Sequence, residues 1–274
     1  MLAAVALALG AGRAAAAASE LRTITVDGAE RHYLVHAPAA APAAPLAVVL
    51  SFHGAASTPR QEEGVTGFSR RADADGFIAV YPEGVHRLWR VFGGSPADVD
   101  FVRALLDDLA GIHPIDRRRV YATGISNGAQ MAWRLACDMP EAIAAVGLVS
   151  GGYYQVCDER RPPAIIFHGT ADRLLPYRGG YGQMSVRAFA AAWGAAPGCA
   201  TDPSQGEIVY RQGDATGEAW HCPPHQAVLY TLDGKGHSWP GSAMPAAITS
   251  RDVDASAAML RFFGLEPQDA PGPR

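Results

Sequence analysis

The run Val120-Tyr121-Ala122-Thr123-Gly124-Ile125-Ser126-Asn127-Gly128-Ala129-Gln130-Met131 constrains this chain more than any other. A β-branched and aromatic stretch leads into Gly-x-Ser-x-Gly, and a helix-like stretch follows to Cys137-Asp138. The pattern describes a strand turning sharply into a helix with a serine at the apex, a nucleophile elbow. The serine backbone in such a turn is strained and its neighbours must lack bulk, which Gly124 and Gly128 provide. A helix starting at Asn127 offers free N–H groups and a partial positive charge where an oxyanion would form. The five-residue string alone recurs by chance, so its context decides.

That context alternates strands with helices. Residues 22–27 and 31–37 alternate apolar and polar side chains around Asp27-Gly28, a hairpin signal. After a proline-rich loop over 38–45, Leu46–Phe52 is a continuous apolar run, as in a strand buried on both faces. Residues 59–75 read as helical and 77–81 as another buried strand. From Asp98, which could cap its start, Val102, Leu105, Leu106, Leu109 and Ile112 follow helical spacing. Beyond the elbow come expected strands at 143–150 and 164–168, a helix at 182–193, late strands at 207–211 and 227–232, and a helix at 253–263. The expected fold class is α/β: a mostly parallel central sheet with helices on both faces and an antiparallel N-terminal hairpin.

A chain of 274 residues suffices for one such domain, and no repeat or Thr/Pro/Gly linker divides it. Apolar residues at 49% and charged residues at 18% are ordinary for a globular protein. The net charge of −4, without a basic run, excludes nucleic acid as an expected partner. Residues 1–18 read as a signal peptide: a short apolar stretch, then alanines with small residues near Ala16 to Ser19, too short for a membrane span. Residues 19–265 are then a single catalytic domain and 266–274 a flexible tail, in a protein that is extracellular or periplasmic with no membrane anchor. Four cysteines in an exported chain suggest two disulfides, for which three pairings exist. Nearness in sequence favours Cys137 with Cys157 and Cys199 with Cys222. A metal site at His221-Cys222-Pro223-Pro224-His225 competes, but two prolines and the lack of a second clustered ligand pair weigh against it, and no metal is expected.

A serine hydroxyl needs a base within hydrogen-bond reach, and the base needs an acceptor that fixes its tautomer. On a parallel sheet such groups meet in loops at the strands' C-terminal ends. The strand ending in Phe167 runs into His168-Gly169-Thr170-Ala171-Asp172, making Asp172 the candidate acid. The strand ending in Leu232 runs into Asp233-Gly234-Lys235-Gly236-His237, making His237 the candidate base in a glycine-flanked loop. Asp233 is the rival acid, with only three residues between it and His237. His221 and His225 lie beside the expected disulfide, away from a strand end. Two backbone donors would complete an oxyanion hole: Asn127 N–H, and Ala55 N–H from the His53-Gly54-Ala55-Ala56 turn. His53 itself reads as a residue that organises the loop.

Together, Phe52-His53-Gly54, the 119–128 run, His168-Gly169-Thr170-Ala171-Asp172 and Gly236-His237-Ser238-Trp239-Pro240-Gly241 are specific. They resemble the LpqC-type branch of the secreted polyhydroxybutyrate depolymerase and feruloyl esterase group, relatives of carbohydrate esterase family one. The resemblance covers roughly residues 21–263 and implies an α/β-hydrolase fold with a Ser126, Asp172, His237 triad and no cofactor. It also supports the two cysteine pairings. The chain departs from the group at Gly93-Gly94, where relatives often carry a double cysteine, at Ala55, where some have cysteine, and at Ala129 within the elbow.

The expected reaction is two-step acyl transfer from an ester substrate to Ser126 and then to water. Trp89, Tyr177 and Trp239 are candidate aromatic walls for substrate binding. Without a tethered surface-binding module in the sequence, feruloyl or acetyl esters on polysaccharide, short-chain esters and hydroxyalkanoate oligomers are the expected substrates. Two alternatives are an acyltransferase using a sugar or lipid alcohol, and a non-catalytic glycan-binding protein on the same fold.

Overall fold

The computed structural model describes residues 18–39, 44–180, 182–196, 199 and 206–266. The expected leader (but for Ala18) and all of the tail after Glu266 lie outside the described residues. Among those described, the strands form one ten-stranded sheet in the order β1-β2-β4-β3-β5-β6-β7-β10-β9-β8. The strands are β1 Glu20–Val26, β2 Ala29–His36, β3 Leu46–Phe52, β4 Phe77–Pro82, β5 Ile115–Ile125, β6 Ala145–Val149, β7 Ala164–Gly169, β8 Glu207–Gln212, β9 Ala215–Cys222 and β10 His225–Leu232. The helices are α1 Pro59–Thr66, α2 Phe68–Asp75, α3 Ala97–Ile112, α4 Asn127–Asp138, α5 Val186–Gly194 and α6 Ala255–Phe262.

The six strands from β4 across to β10 pair in parallel. The hairpin β1–β2 joins β4 antiparallel, and β9 and β8 extend the far edge antiparallel. The apolar run of β3 serves two cores. Val48, Leu50 and Phe52 face the layer holding α3, α4 and α5, while Ala47 and Val49 face α2 and α6. Strand alternation splits one unbroken hydrophobic sequence between the two faces. The three loops that follow β5, β7 and β10 therefore open on one end of the sheet.

Four expectations change. The helical stretch 59–75 is two helices, because Gly67 at φ 64° caps α1 and its N–H bonds the Glu63 carbonyl. Asp98 does not cap α3. Pro96 holds that position, and the Asp98 carboxylate is buried and accepts from Arg31 Nη2 and from Arg90 N–H, each at 2.8 Å. The helix expected from 182 starts at Val186, where the Ser185 hydroxyl accepts from Ala188 N–H. A strand, β9, fills what read as irregular sequence. Gly217 and Glu218 are poor strand formers, yet pairing with β10 on one side and β8 on the other makes this segment interior.

Both cysteine pairs form as expected, Cys137–Cys157 and Cys199–Cys222. The first ties the end of α4 to the loop after β6, and the second fastens the segment after α5 to the end of β9. Glu266, placed in the expected tail, is held by Arg71 at 3.4 Å and Arg261 at 3.1 Å.

Candidate active site

The turn from β5 into α4 has no room to spare. A Cβ added at Gly128 would lie 1.9 Å from the Phe52 carbonyl oxygen, and one at Gly124 would lie 2.5 Å from that same oxygen. Ser126 between them adopts φ 58°, ψ −121°, a conformation seldom occupied by a residue with a side chain. Its N–H donates to the Val149 carbonyl at 2.9 Å, and its own carbonyl accepts from Gln130 N–H at 3.1 Å, so main-chain bonds on both sides hold the strained residue. Ser126 is half-buried.

The end of β3 packs against this apex. A Cβ on Gly54 would stand 3.6 Å from Ser126 Cβ, so the turn at 53–56 runs beside the serine. His53 is buried and organises the turn. Its Nδ1 donates to the Gly54 carbonyl at 2.8 Å and its Nε2 accepts from Gly84 N–H at 3.1 Å. These bonds define a neutral ring, and burial, its largest influence, lowers the His53 pKa despite the bond to Gly54. Ala56 N–H bonds the Arg87 carbonyl and Ser57 N–H bonds Gly54. Among the described residues no acceptor takes the amide of Ala55 or of Asn127.

The loop carrying Trp89 is fastened to the same place. Asn127 Oδ1 accepts from Trp89 N–H at 2.7 Å and Asn127 Nδ2 donates to the Trp89 carbonyl at 3.1 Å. The Trp89 indole N–H donates to the His53 carbonyl at 3.0 Å, and its ring meets Phe52 edge on.

Across the sheet, His237 Nδ1 donates to Asp172 Oδ2 at 2.8 Å. Asp172 is buried, and its other oxygen accepts the N–H groups of Leu174 at 2.9 Å and Leu175 at 3.0 Å. The two loops touch closely: a Cβ on Gly169 would fall 2.2 Å from the Lys235 carbonyl oxygen. Burial pushes the Asp172 carboxyl up, but hydrogen bonds from His168, His237 and Leu175 N–H outweigh it and hold the group well below the usual carboxylate range. Asp233, the rival acid, is exposed and accepts from Thr170 Oγ1 at 3.1 Å.

One participant was not expected from the sequence. His168 is buried, with Nε2 3.3 Å from Asp172 Oδ2 and 2.7 Å from the Leu175 carbonyl. The four-residue spacing from Asp172 was its only signal, and that spacing has no meaning until the strand ends and the chain doubles back. The aromatic walls need correction. Trp89 is 2% exposed and Trp239 1%, so neither presents a ring face to a substrate. Trp239 packs edge on against Phe68 and its N–H donates to Ser256 Oγ at 3.0 Å. Tyr177 is half-buried and bonds Thr231 Oγ1 at 2.6 Å.

The site offers a hydroxyl on a strained turn with the 53–56 turn beside it, and, where β7 and β10 end, an imidazole oriented by a buried carboxylate. Comparison with known proteins places the chain among esterases. The profile described as "Esterase PHB depolymerase" matches residues 31–172. A protein of Nocardia uniformis subsp. tsuyamanensis whose name describes it as an esterase, NocK, is 32% identical over 88% of this chain and 81% of its own length. Feruloyl esterase C of Emericella nidulans is 33% identical over 38% of each chain. The acetyl xylan esterase from Aspergillus awamori shares the α/β-hydrolase fold, with TM-score 0.66 and 17% identity over 90% of this chain and all of that one. The chain belongs to the esterase PHB depolymerase family and is a carboxylic ester hydrolase.

Proposed function

We propose that the protein is a secreted serine esterase working through an acyl-enzyme. In this reading Ser126 attacks the ester carbonyl as His237 takes its proton, and Asp172 fixes the imidazole tautomer and stabilises the imidazolium. The amides of Asn127 and Ala55 receive the oxyanion, a donor pair of which each member is worth about 3–4 kcal/mol in the transition state. His237 then protonates the leaving alcohol, and water repeats the sequence to free the acid. The observation that carries the reading is the 2.8 Å bond from His237 to a carboxylate that two histidines and two main-chain amides keep ionised.

The reading takes residues 19–266 as one catalytic unit behind a leader over 1–18, since Glu266 is held by Arg71 and Arg261. Two disulfides support an extracellular or periplasmic location, since thiols stay reduced in most cytosols. Feruloyl or acetyl esters of polysaccharides are the favoured substrates, supported by the relatives' names. Short-chain and hydroxyalkanoate esters are the remaining members of the panel. The test is hydrolysis of methyl ferulate, acetylated xylan, 4-nitrophenyl butyrate and hydroxybutyrate oligomers, with Ser126→Ala as control. Turnover of at least one ester that vanishes in Ser126→Ala is the expected result. Turnover retained in that variant would remove the nucleophile and with it the mechanism.

A further inference from the structure

Two large aromatic rings stand in solvent beside the candidate site. Phe92 is 51% exposed and Tyr154 41%. They meet edge to face, with centroids 5.0 Å apart and planes at 85°, and Phe92 also leans on Trp133 of α4 at 6.4 Å.

Both rings are held from outside the pair. The Arg134 guanidinium of α4 donates to the carbonyls of Arg90 and Ser95, one on each side of Phe92, the second at 2.7 Å. Asn127 clamps the preceding Trp89 through both of its main-chain groups. On the other side the Tyr154 hydroxyl accepts from Gln183 Nε2 at 3.2 Å. The rings form a fixed corner with a hydrogen-bonding rim.

The corner adjoins the candidate active site. Its loop is tied to the residue after Ser126, and Tyr154 lies four residues past Ser150, which follows β6 beside the elbow strand. Trp133, beneath Phe92, is six residues into α4, roughly 9 Å along the axis from Asn127. A short acyl chain seated in the oxyanion pocket does not extend that far.

We propose that Phe92 and Tyr154 form an aromatic corner for a pyranose ring of the carbohydrate that bears the ester, one ring stacking on the sugar and the other meeting its edge. An aromatic face suits the C–H face of a pyranose, and the Tyr154 hydroxyl with the Gln183 amide meets the ring's own hydroxyls. The inference rests on the ester hydrolase reading above and adds to it the part of the substrate recognised and the residues that recognise it. It also gives a role to the 89–98 loop.

The test uses the full chain, Phe92→Ala, Tyr154→Ala and the double variant, each checked by thermal melting. Selectivity is read as the ratio of kcat/KM for acetylated xylohexaose to that for 4-nitrophenyl acetate. Binding of unacetylated xylohexaose is read by calorimetry in a Ser126→Ala background, where no turnover is needed. The double variant should lower the ratio about tenfold, through KM, and weaken xylohexaose binding by a similar factor. Equal loss on both esters, or xylohexaose binding that is absent in the parent or undiminished in the variant, would overturn the proposal. A loss confined to methyl ferulate, assayed alongside the two acetyl esters, would also overturn it, by assigning the rings to the acyl group. Absence of any turnover by the parent would instead refute the hydrolase reading, and the binding measurement separates the two failures.

Discussion

Gly128→Ala probes the elbow most sharply. The added methyl would stand 1.9 Å from the Phe52 carbonyl oxygen and 2.7 Å from that of His53. An ordinary contact of about 3.4 Å requires a displacement of roughly 1.5 Å between β3's end and α4. Both partners are backbone, so no side chain can swing aside. The forced movement falls on the peptides just before Ala55, whose amide is proposed to hold the oxyanion. Overpacking of this kind costs about 1–3 kcal/mol of stability, and loss of one oxyanion donor lowers kcat about 10²–10³-fold. The assay is thermal melting with kcat on 4-nitrophenyl butyrate. A melting point lower by several degrees together with that loss of kcat is expected. Gly111→Ala in α3, where a Cβ meets nothing within 4 Å, is the control and should not lower the melting point. A Gly128→Ala protein that melts with the parent and keeps kcat within threefold would refute the steric account of the elbow.

Glu62 lies buried under β3, accepting from Ser51 Oγ at 2.8 Å, and burial pushes its carboxyl up to about 8 although that bond opposes the rise. A raised folded-state value means that the neutral group's contribution is complete below the unfolded value near 4.5 and is lost as pH climbs towards 8. Glu62→Gln, which can still accept from Ser51, should therefore stabilise the fold by roughly 3 kcal/mol at pH 7 and by nothing near pH 4.5, read by denaturant melts at both values. Asp172 has the opposite sign. Its folded value is depressed, so its contribution is present above the unfolded value near 4 and fades only in stronger acid. Asp172→Asn should lower kcat about 10⁴-fold while leaving substrate affinity near that of the parent, and should blunt the acid loss of stability. Replacing both Cys137 and Cys157 by serine opens a crosslink between residues 20 apart and should lower unfolding free energy by about 3 kcal/mol, with little change in KM. An unchanged denaturation midpoint would show that α4 and the loop after β6 are fixed by packing alone.

What was legible in the sequence was what local chemistry dictates. The elbow required glycines at 124 and 128 because backbone approaches there, and the structure places the Phe52 carbonyl against both. The run at Leu46–Phe52 announced a strand with two buried faces because no polar residue interrupts it before Ser51. The partnership of Asp172 with His237 followed from strand ends and chain order. What was not legible depends on contacts between distant segments. Trp239 sits two residues past His237, yet it points to Phe68 and Ser256, and nothing nearby in sequence signals that. Asp98 looked like a cap because no local feature reveals Arg31, brought beside it from β2. The strand β9 has weak propensity and exists through its two neighbours. Nothing in the sequence singles out Phe92 and Tyr154 over Trp89, Tyr177 and Trp239, since exposure is a property of the folded surface and not of residue type.

The most direct measurement is the site of covalent capture. The intact protein is treated with an alkyl fluorophosphonate, digested and mapped by mass spectrometry, alongside His237→Ala. The account predicts a single adduct on Ser126 that forms far more slowly when His237 is gone. An adduct on another residue, or ester turnover by a protein that the reagent does not label, would contradict it.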